Sequence, residues 1–249
     1  MKPGDPWFDC GIDIPAAGDG VRVDEYDNVF MSGSRVHPEA CLGRANVFHP
    51  FAVVAAHVTM GDGNAVESFS VVGSRSQARG AARAGRLTIG NGCTFHPHST
   101  VSVGDGPSGT TVGHEVILMT GAHVGHDSEV GSRAVVGNYA QIAGHVVLDE
   151  DSVVGALSCV VQRLFVGALA HVLPQVVCRQ NLWPLQTLAA DGSIRANSIA
   201  LRRRGGTMGD LRSIRSNWGV QGASLSSLRT SYDFDRAFSR MRPFVASQD

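Results

Sequence analysis

The sequence predicts a β-solenoid, on three observations that share one period. From Val112 to Val172 a valine, leucine or isoleucine recurs at every sixth residue without a slip, through Leu118, Val124, Val130, Val136, Ile142, Leu148, Val154, Val160 and Val166. Four residues after most of these beats stands a small or apolar side chain (Val116, Ala122, Ser128, Ala134, Ala140, Val146, Ser152, Ser158), so each hexad sends one bulky and one compact residue inward. Glycine often follows the beat, at Gly113, Gly125, Gly131, Gly137, Gly155 and Gly167, where a turn needs an unhindered backbone. A short fixed period of this kind builds coils in which each strand pairs with the coil above and below it, and three hexads make one triangular coil. Ordinary short strands joined by turns would not hold a six-residue phase for so long.

Taken in order, residues 1–29 are acidic, rich in Pro and Gly and free of the repeat, and are expected to cap the edge of the first coil. The beat begins at Phe30 and runs through Val36, Leu42, Phe48, Val54, Met60, Val66 and Val72, with Ala40, Asn46, Ala52, Val58, Asn64 and Ser70 as compact partners. Residues 74–86, SRSQARGAARAGR, break the phase and are expected to protrude, either as a solvated excursion or as part of a binding wall. Ile89, Phe95 and Val101 restore the beat before a second break at 102–111, SVGDGPSGTT. The coil is expected to end near Pro174, with a composition change from about Leu182. Leu211, Ile214 and Trp218, then Phe234, Phe238, Met241 and Phe244, are spaced as apolar stripes of helices, read as core contacts. The expected organisation is a cap over 1–29, the solenoid over 30–187 and a small helical domain over 188–249.

Composition narrows the function classes. A net charge of -1 implies neither nucleic acid nor an anionic membrane as partner. The five cysteines (Cys10, Cys41, Cys93, Cys159, Cys178) show no metal-ligand spacing and suit a reducing cytoplasm. The opening MKPGDPWFDCG has no apolar core of a signal peptide, and no run is long and apolar enough for a membrane helix. Lys2 is the only lysine, which removes one catalytic residue type from consideration.

The chemical candidates lie on the long register. His123 and His126 flank the beat residue Val124, and Asp127 follows in AHVGHDSEVG. One coil further on, His126 meets Gly144 and Asp127 meets His145, across a strand spacing of roughly 4.8 Å. This collects imidazole, carboxylate and a bare backbone N–H. An imidazole oriented by a carboxylate can accept a hydroxyl proton, and a glycine N–H can stabilise an oxyanion. The alternative is a set of inert surface histidines.

The run TVGHEVILMTGAHVGHDSEVGSRAVVGNYAQIAGHVVLDEDSVVGALSCVVQ, with both loop breaks and the NSIALRRRG stretch at 197–205, resembles the UDP-N-acetylglucosamine O-acyltransferases that begin lipid A synthesis, over roughly residues 30–215. The H-x-x-H-D pattern and the A-G-H one coil later are more specific than the hexapeptide repeat itself. The resemblance implies a left-handed parallel β-helix with a helical C-terminal domain, assembled as a homotrimer with active sites between subunits. It implies His126 as general base, Asp127 as its orienting partner and the Gly144 N–H as oxyanion donor. His123 and His145 match substrate-contacting histidines, and Gln162 matches a residue of the nucleotide-sugar pocket. Asn197, Arg203 and Arg204 match residues that meet the diphosphate or the carrier. No bound cofactor is implied. The donor is an acyl-phosphopantetheine thioester, on acyl carrier protein or coenzyme A. Gln162 also reads as a solvated rung residue, and the arginines as surface charge or carrier docking.

The departures from that family are specific. SRSQARGAARAG lacks the acid, lysine and tyrosine of the family's substrate-reaching loop. Ser102 and Val161 stand where the family has histidines, and Ile199 replaces an acid, while His171 and Pro174 hold positions that help set acyl length. The expectation is therefore the same reaction type with a different acceptor, a different acyl group, or both. Two other readings stand beside it. One is a metal hydratase resembling the γ-class carbonic anhydrases, using His114, His123 and His126. The other is a non-catalytic scaffold that kept the solenoid.

Overall fold

The computed structural model describes residues 20–78, 80, 85–218 and 232–246. Most of the expected cap (1–19), with Cys10, lies outside the described residues, as does part of the first excursion. The described residues wind as a three-sided prism whose walls are sheets of eleven, eight and seven strands, visited in the order first, second, third. Each beat pairs with the residue 18 positions on. Val112 lies against Val130, Leu118 against Val136, and Val124 against Ile142.

Burial explains the register. Every beat residue from Val112 to Val172 is at most 3% exposed, and their compact partners fill the corners beside them. A one-residue slip would turn this whole apolar set outward. At the end of the second and third sheets, where no further strand among the described residues covers them, Val36 and Leu42 are only partly buried. The glycines after the beat serve close approach. A Cβ on Gly125 would stand 2.7 Å from the Gly144 nitrogen, and one on Gly137 would stand 2.6 Å from that of Ala156. The left-handed backbone falls two residues later and is borne by side chains that pay for it, including Asp127, Tyr139, His145, Leu157 and Arg163, all with φ between 55 and 61°.

Both excursions leave from the same corner, between the second and third sheets. Val72 pairs with Val101 and Val101 with Val124, so the first excursion adds eleven residues to one coil and the second adds five to the next. The stack continues past Pro174, since Val177–Cys178 pairs with Cys159–Val160 and Gln186–Leu188 with His171–Val172. Antiparallel strands close both ends of the first sheet, Arg22–Val23 on Val29–Phe30 and Ile194–Ala196 on Gln186–Leu188, which blunts the exposed edges.

One compact column is polar. Asn28, Asn46 and Asn64, all fully buried, stack at the corner between the third and first sheets. Asn46 Oδ1 accepts from the Asn64 N–H and side-chain amide, and Asn64 Oδ1 accepts from the Cys93 N–H at 2.8 Å. Asn64→Ala strands the Cys93 N–H in the core and removes two further bonds. The expected loss is about 3 kcal/mol of unfolding free energy, read by denaturant titration. An unchanged midpoint would mean that the ladder contributes nothing net.

Among the described residues three helices follow: α1 (Ser198–Arg203), α2 (Met208–Ser216) and α3 (Phe234–Ala246). Asn197 caps α1, and Thr207 and Asp210 form a capping box on α2. Leu201, Leu211, Ile214, Phe234 and Phe238 form a second core against Leu169 and Leu185 of the prism. Charge fixes α3 as well. Arg240 meets Asp149 at 2.8 Å and also Glu129, and Arg236 meets Glu150 at 3.2 Å. No helix among the described residues is long and apolar enough to cross a membrane. The four described cysteines are free thiols.

Candidate active site

The corner between the second and third sheets stacks, coil on coil, the two excursions, then His126 and Asp127, then Gly144 and His145, then Gln162 and Arg163. A cleft of about 510 Å³ opens along it, walled by His123, His126, Gly144, His145, Gln162 and Arg163 and, from the first excursion, Gln77 and Ala78. The eighteen-residue offset thus brings together the residues it was expected to bring together.

His126 Nδ1 and Asp127 Oδ2 are 2.7 Å apart, and both side chains are nearly enclosed, at 12% and 11% exposure. Asp127 Oδ1 accepts the Gly106 N–H at 2.7 Å. Burial pushes the Asp127 carboxyl up, but the His126 hydrogen bond, the Gly106 and Asp105 N–H groups and nearby His145 together hold it below the ordinary carboxylate range. Asp127 is therefore a carboxylate that fixes a proton on Nδ1 and leaves Nε2 as the basic atom. His126 Nε2 has no hydrogen-bond partner among the described residues and packs directly on Gly144, where a Cβ would stand only 2.6 Å away. The Gly144 N–H likewise has no acceptor among the described residues, whereas the next N–H, that of His145, bonds the His126 carbonyl at 2.9 Å. The His145 ring meets that of His126 edge-on at 5.1 Å, and its Nε2 lies 3.9 Å from Asp127. His123, on the second sheet, bonds Thr100 at 2.7 Å, and burial, followed by the His126 charge, lowers its affinity for a proton.

Buried imidazoles make stability depend on pH. Burial lowers the folded pKa of His49, His123 and His171 from the ordinary 6.5, so each contributes stability that is full above that value and lost as pH falls below it. His96 acts oppositely. Its hydrogen bond to Glu67 raises its pKa, and its contribution, full below 6.5, is lost as pH rises through the raised value. With three groups against one, the melting temperature is expected to fall between about pH 7.5 and about pH 5, read by thermal scans in matched ionic strength. A flat profile would mean that these rings are hydrated in solution.

The remaining expected ligands lie elsewhere in the chain. Asn197, Arg203 and Arg204 line a second cleft of about 640 Å³ on the outer face of the first sheet, with His171 and Ile199. Asn197 Nδ2 donates to the Leu169 carbonyl, and Arg204 donates to Asp151 at 2.6 Å. Ser102 is buried at the first cleft against Ser74, and Val161 packs on the core. Pro174 packs over Gly155 at the corner between the first and second sheets, away from both clefts. Gln141, Cys159 and Arg163 line the first cleft without having been singled out. The same arithmetic finds them, since Gln141 and Cys159 lie one and two coils beyond His123, and Arg163 lies two coils beyond Asp127.

His126, Asp127 and His145 each offer a ligand atom within 4.8 Å of the others. Both Asp127 oxygens are already engaged, which suits an orienting carboxylate better than a metal ligand. His114, the further member of the expected hydratase set, stands at the corner between the third and first sheets, where its Nδ1 accepts the Asn91 N–H at 3.0 Å.

The chain is a left-handed parallel β-helix protein with a helical C-terminal region. Its fold is similar to that of UDP-N-acetylglucosamine acyltransferases. LpxA from Acinetobacter baumannii superposes with a TM-score of 0.68 at 18% identity, over 88% of this chain and 95% of that one. UDP-N-acetylglucosamine acyltransferase from Campylobacter jejuni gives 0.66 at 20% identity, over 89% and 90%. The enzyme from Bacteroides fragilis gives 0.63 at 20% identity, over 89% and 91%. No protein-family model and no curated protein matches the chain.

Proposed function

We propose that this chain is a divergent relative of those enzymes, an acyltransferase that moves an acyl group from a phosphopantetheine thioester to a hydroxyl or amine of a nucleotide sugar or a related acceptor. The observation that carries the reading is His126, with Nδ1 on a clamped carboxylate and Nε2, unengaged among the described residues, at an open cleft. In the proposed reaction Nε2 takes the acceptor proton as its oxygen or nitrogen attacks the thioester carbonyl. The Gly144 N–H donates to the oxyanion, and collapse expels the thiolate, which recovers the proton from the His126 imidazolium. His123, His145 and Gln162 position the acceptor. The donor arm comes from acyl carrier protein or coenzyme A. In a homotrimer, the cleft holding Asn197, Arg203 and Arg204 on one subunit serves the diphosphate or carrier at the histidine cleft of the next. The reaction needs no resident metal and places the protein in the cytoplasm, where such donors are made.

The test supplies acyl carrier protein charged with a range of acyl groups, acyl-coenzyme A and UDP-N-acetylglucosamine, and follows product mass. Transfer that survives a chelator supports the reading. A folded protein inert with every donor would exclude this acceptor. The proximity of His126, Asp127 and His145 favours a second reading, metal-assisted hydration of a small electrophile. A stoichiometric metal in the purified protein, with activity lost to the chelator, would favour that reading instead.

Gly144→Ala tests the contact at the base. The methyl would stand 2.6 Å from Nε2, so the ring must swing away from Gly144 and strain its hydrogen bond to the Asp127 carboxylate. The expected result is a fall in kcat of about 10²-fold with little change in melting temperature. Wild-type kcat would mean that the imidazole works from another rotamer.

A further inference from the structure

The second excursion is shaped around the Asp127 carboxylate. Gly106 donates to Oδ1 at 2.7 Å, the Asp105 N–H adds a second contact, and the Asp127 N–H is held by Thr110 Oγ1 at 2.9 Å. A Cβ on Gly104 would stand 2.7 Å from that carboxylate oxygen and one on Gly106 3.0 Å from it, so only bare backbone fits there. Backbone N–H groups converging on an anion in this way form a nest.

The nest is held from outside by the last residue of the first excursion. Arg86 and Gly104 exchange two backbone hydrogen bonds, each 3.0 Å, and the Arg86 carbonyl also accepts the Thr110 N–H at 3.0 Å. The Arg86 guanidinium reaches over the loop and donates to the Pro107 carbonyl at 2.6 Å. The same excursion contributes Gln77 and Ala78 to the wall of the cleft. One short segment therefore touches both the substrate space and the support of the carboxylate.

We propose that Arg86 is a positioning residue for the His126–Asp127 pair: by pinning Pro107 it holds residues 104–106 on Asp127, and it ties the setting of the carboxylate to the excursion that walls the cleft. Its bearing on rate rests on the acyl-transfer reading, but its structural content is testable without any activity. The probe is the hydrogen-bonded Nδ1 proton of His126 in full-length protein labelled with ¹⁵N-histidine, assigned by its loss in Asp127→Asn. Arg86→Gln is expected to broaden or abolish this resonance, and Arg86→Lys, which can still donate to Pro107, to restore it. In the transfer assay Arg86→Gln lowers kcat about tenfold with KM unchanged. Gly106→Ala, which pushes a methyl against the same oxygen without touching Arg86, gives the same loss of resonance and keeps the test open should Arg86→Gln fail to fold. An unshifted resonance in either folded variant overturns the proposal. A resonance lost in the variants of a protein whose wild type transfers no acyl group would leave the positioning role standing and exclude UDP-N-acetylglucosamine as the acceptor.

Discussion

Alanine in place of His126 is expected to lower acyl transfer by about 10²–10⁴-fold, the range a positioned general base contributes. The ring is nearly enclosed but makes its one strong hydrogen bond to Asp127, and the prism core does not include it. Unfolding temperature and assembly size should therefore stay close to wild type. The loss should appear in kcat, because the proton moves only as the acceptor attacks, and KM for the thioester should hardly change. The check is initial rates together with light scattering. Full activity in the variant would remove the dyad from the mechanism, and a scaffold protein would show ligand binding untouched by the change.

Asp127→Asn is expected to be nearly as damaging with even less structural change. The asparagine Oδ1 can still accept the Gly106 N–H, so the loop keeps its anchor. Its amide then faces His126 Nδ1 as a donor, and Nδ1 must become an acceptor. The remaining ring proton moves to Nε2, the atom that has to receive one. A fall of about 10²–10⁴-fold in kcat is expected, with acceptor affinity kept. Alanine at the same position removes the anchor as well, so a larger loss of stability in Asp127→Ala than in Asp127→Asn would separate orientation from support. Equal and small effects of both on rate would mean that the carboxylate serves only to hold the loop.

The prism was legible because its core is written as a strict period. Each beat has one inward destination, and Val124 and Ile142 cannot exchange faces without emptying the core. The candidate site was legible for the same reason, since adding eighteen to His126 and Asp127 lands on Gly144 and His145, the residues they touch. Three things were not readable. Left-handed backbone at Tyr139, Leu157 and Arg163 carries no glycine to announce it, because the coil geometry imposes it whatever the side chain. Asn46 and Asn64 were legible as compact residues but not as a hydrogen-bond ladder, which depends on the neighbouring coil's backbone. The excursion that cradles Asp127 is held by main-chain groups of Gly106 and Arg86, and its glycines announce a turn without naming the carboxylate it closes on. The arginines at 202–204 read in sequence as a diphosphate contact, as carrier docking or as surface charge. Arg204 also donates to Asp151, a partner 53 residues away that no local pattern exposes.

The ion pairs of α3 bear on the order in which the chain assembles. Most rungs close a loop of only 18 residues, and the two excursions lengthen this to 23 and 29, so the entropy of adding a coil is small and nearly constant along the prism. Arg240 closes on Asp149 and Glu129 across 91 and 111 residues, and Arg236 on Glu150 across 86. Those are contacts of a different contact order, and they have no value until the coils bearing Asp149 and Glu129 exist. During synthesis the coils can zip up one after another from the amino-terminal end. The carboxy-terminal helix α3 then clasps a wall whose acidic residues are already in place.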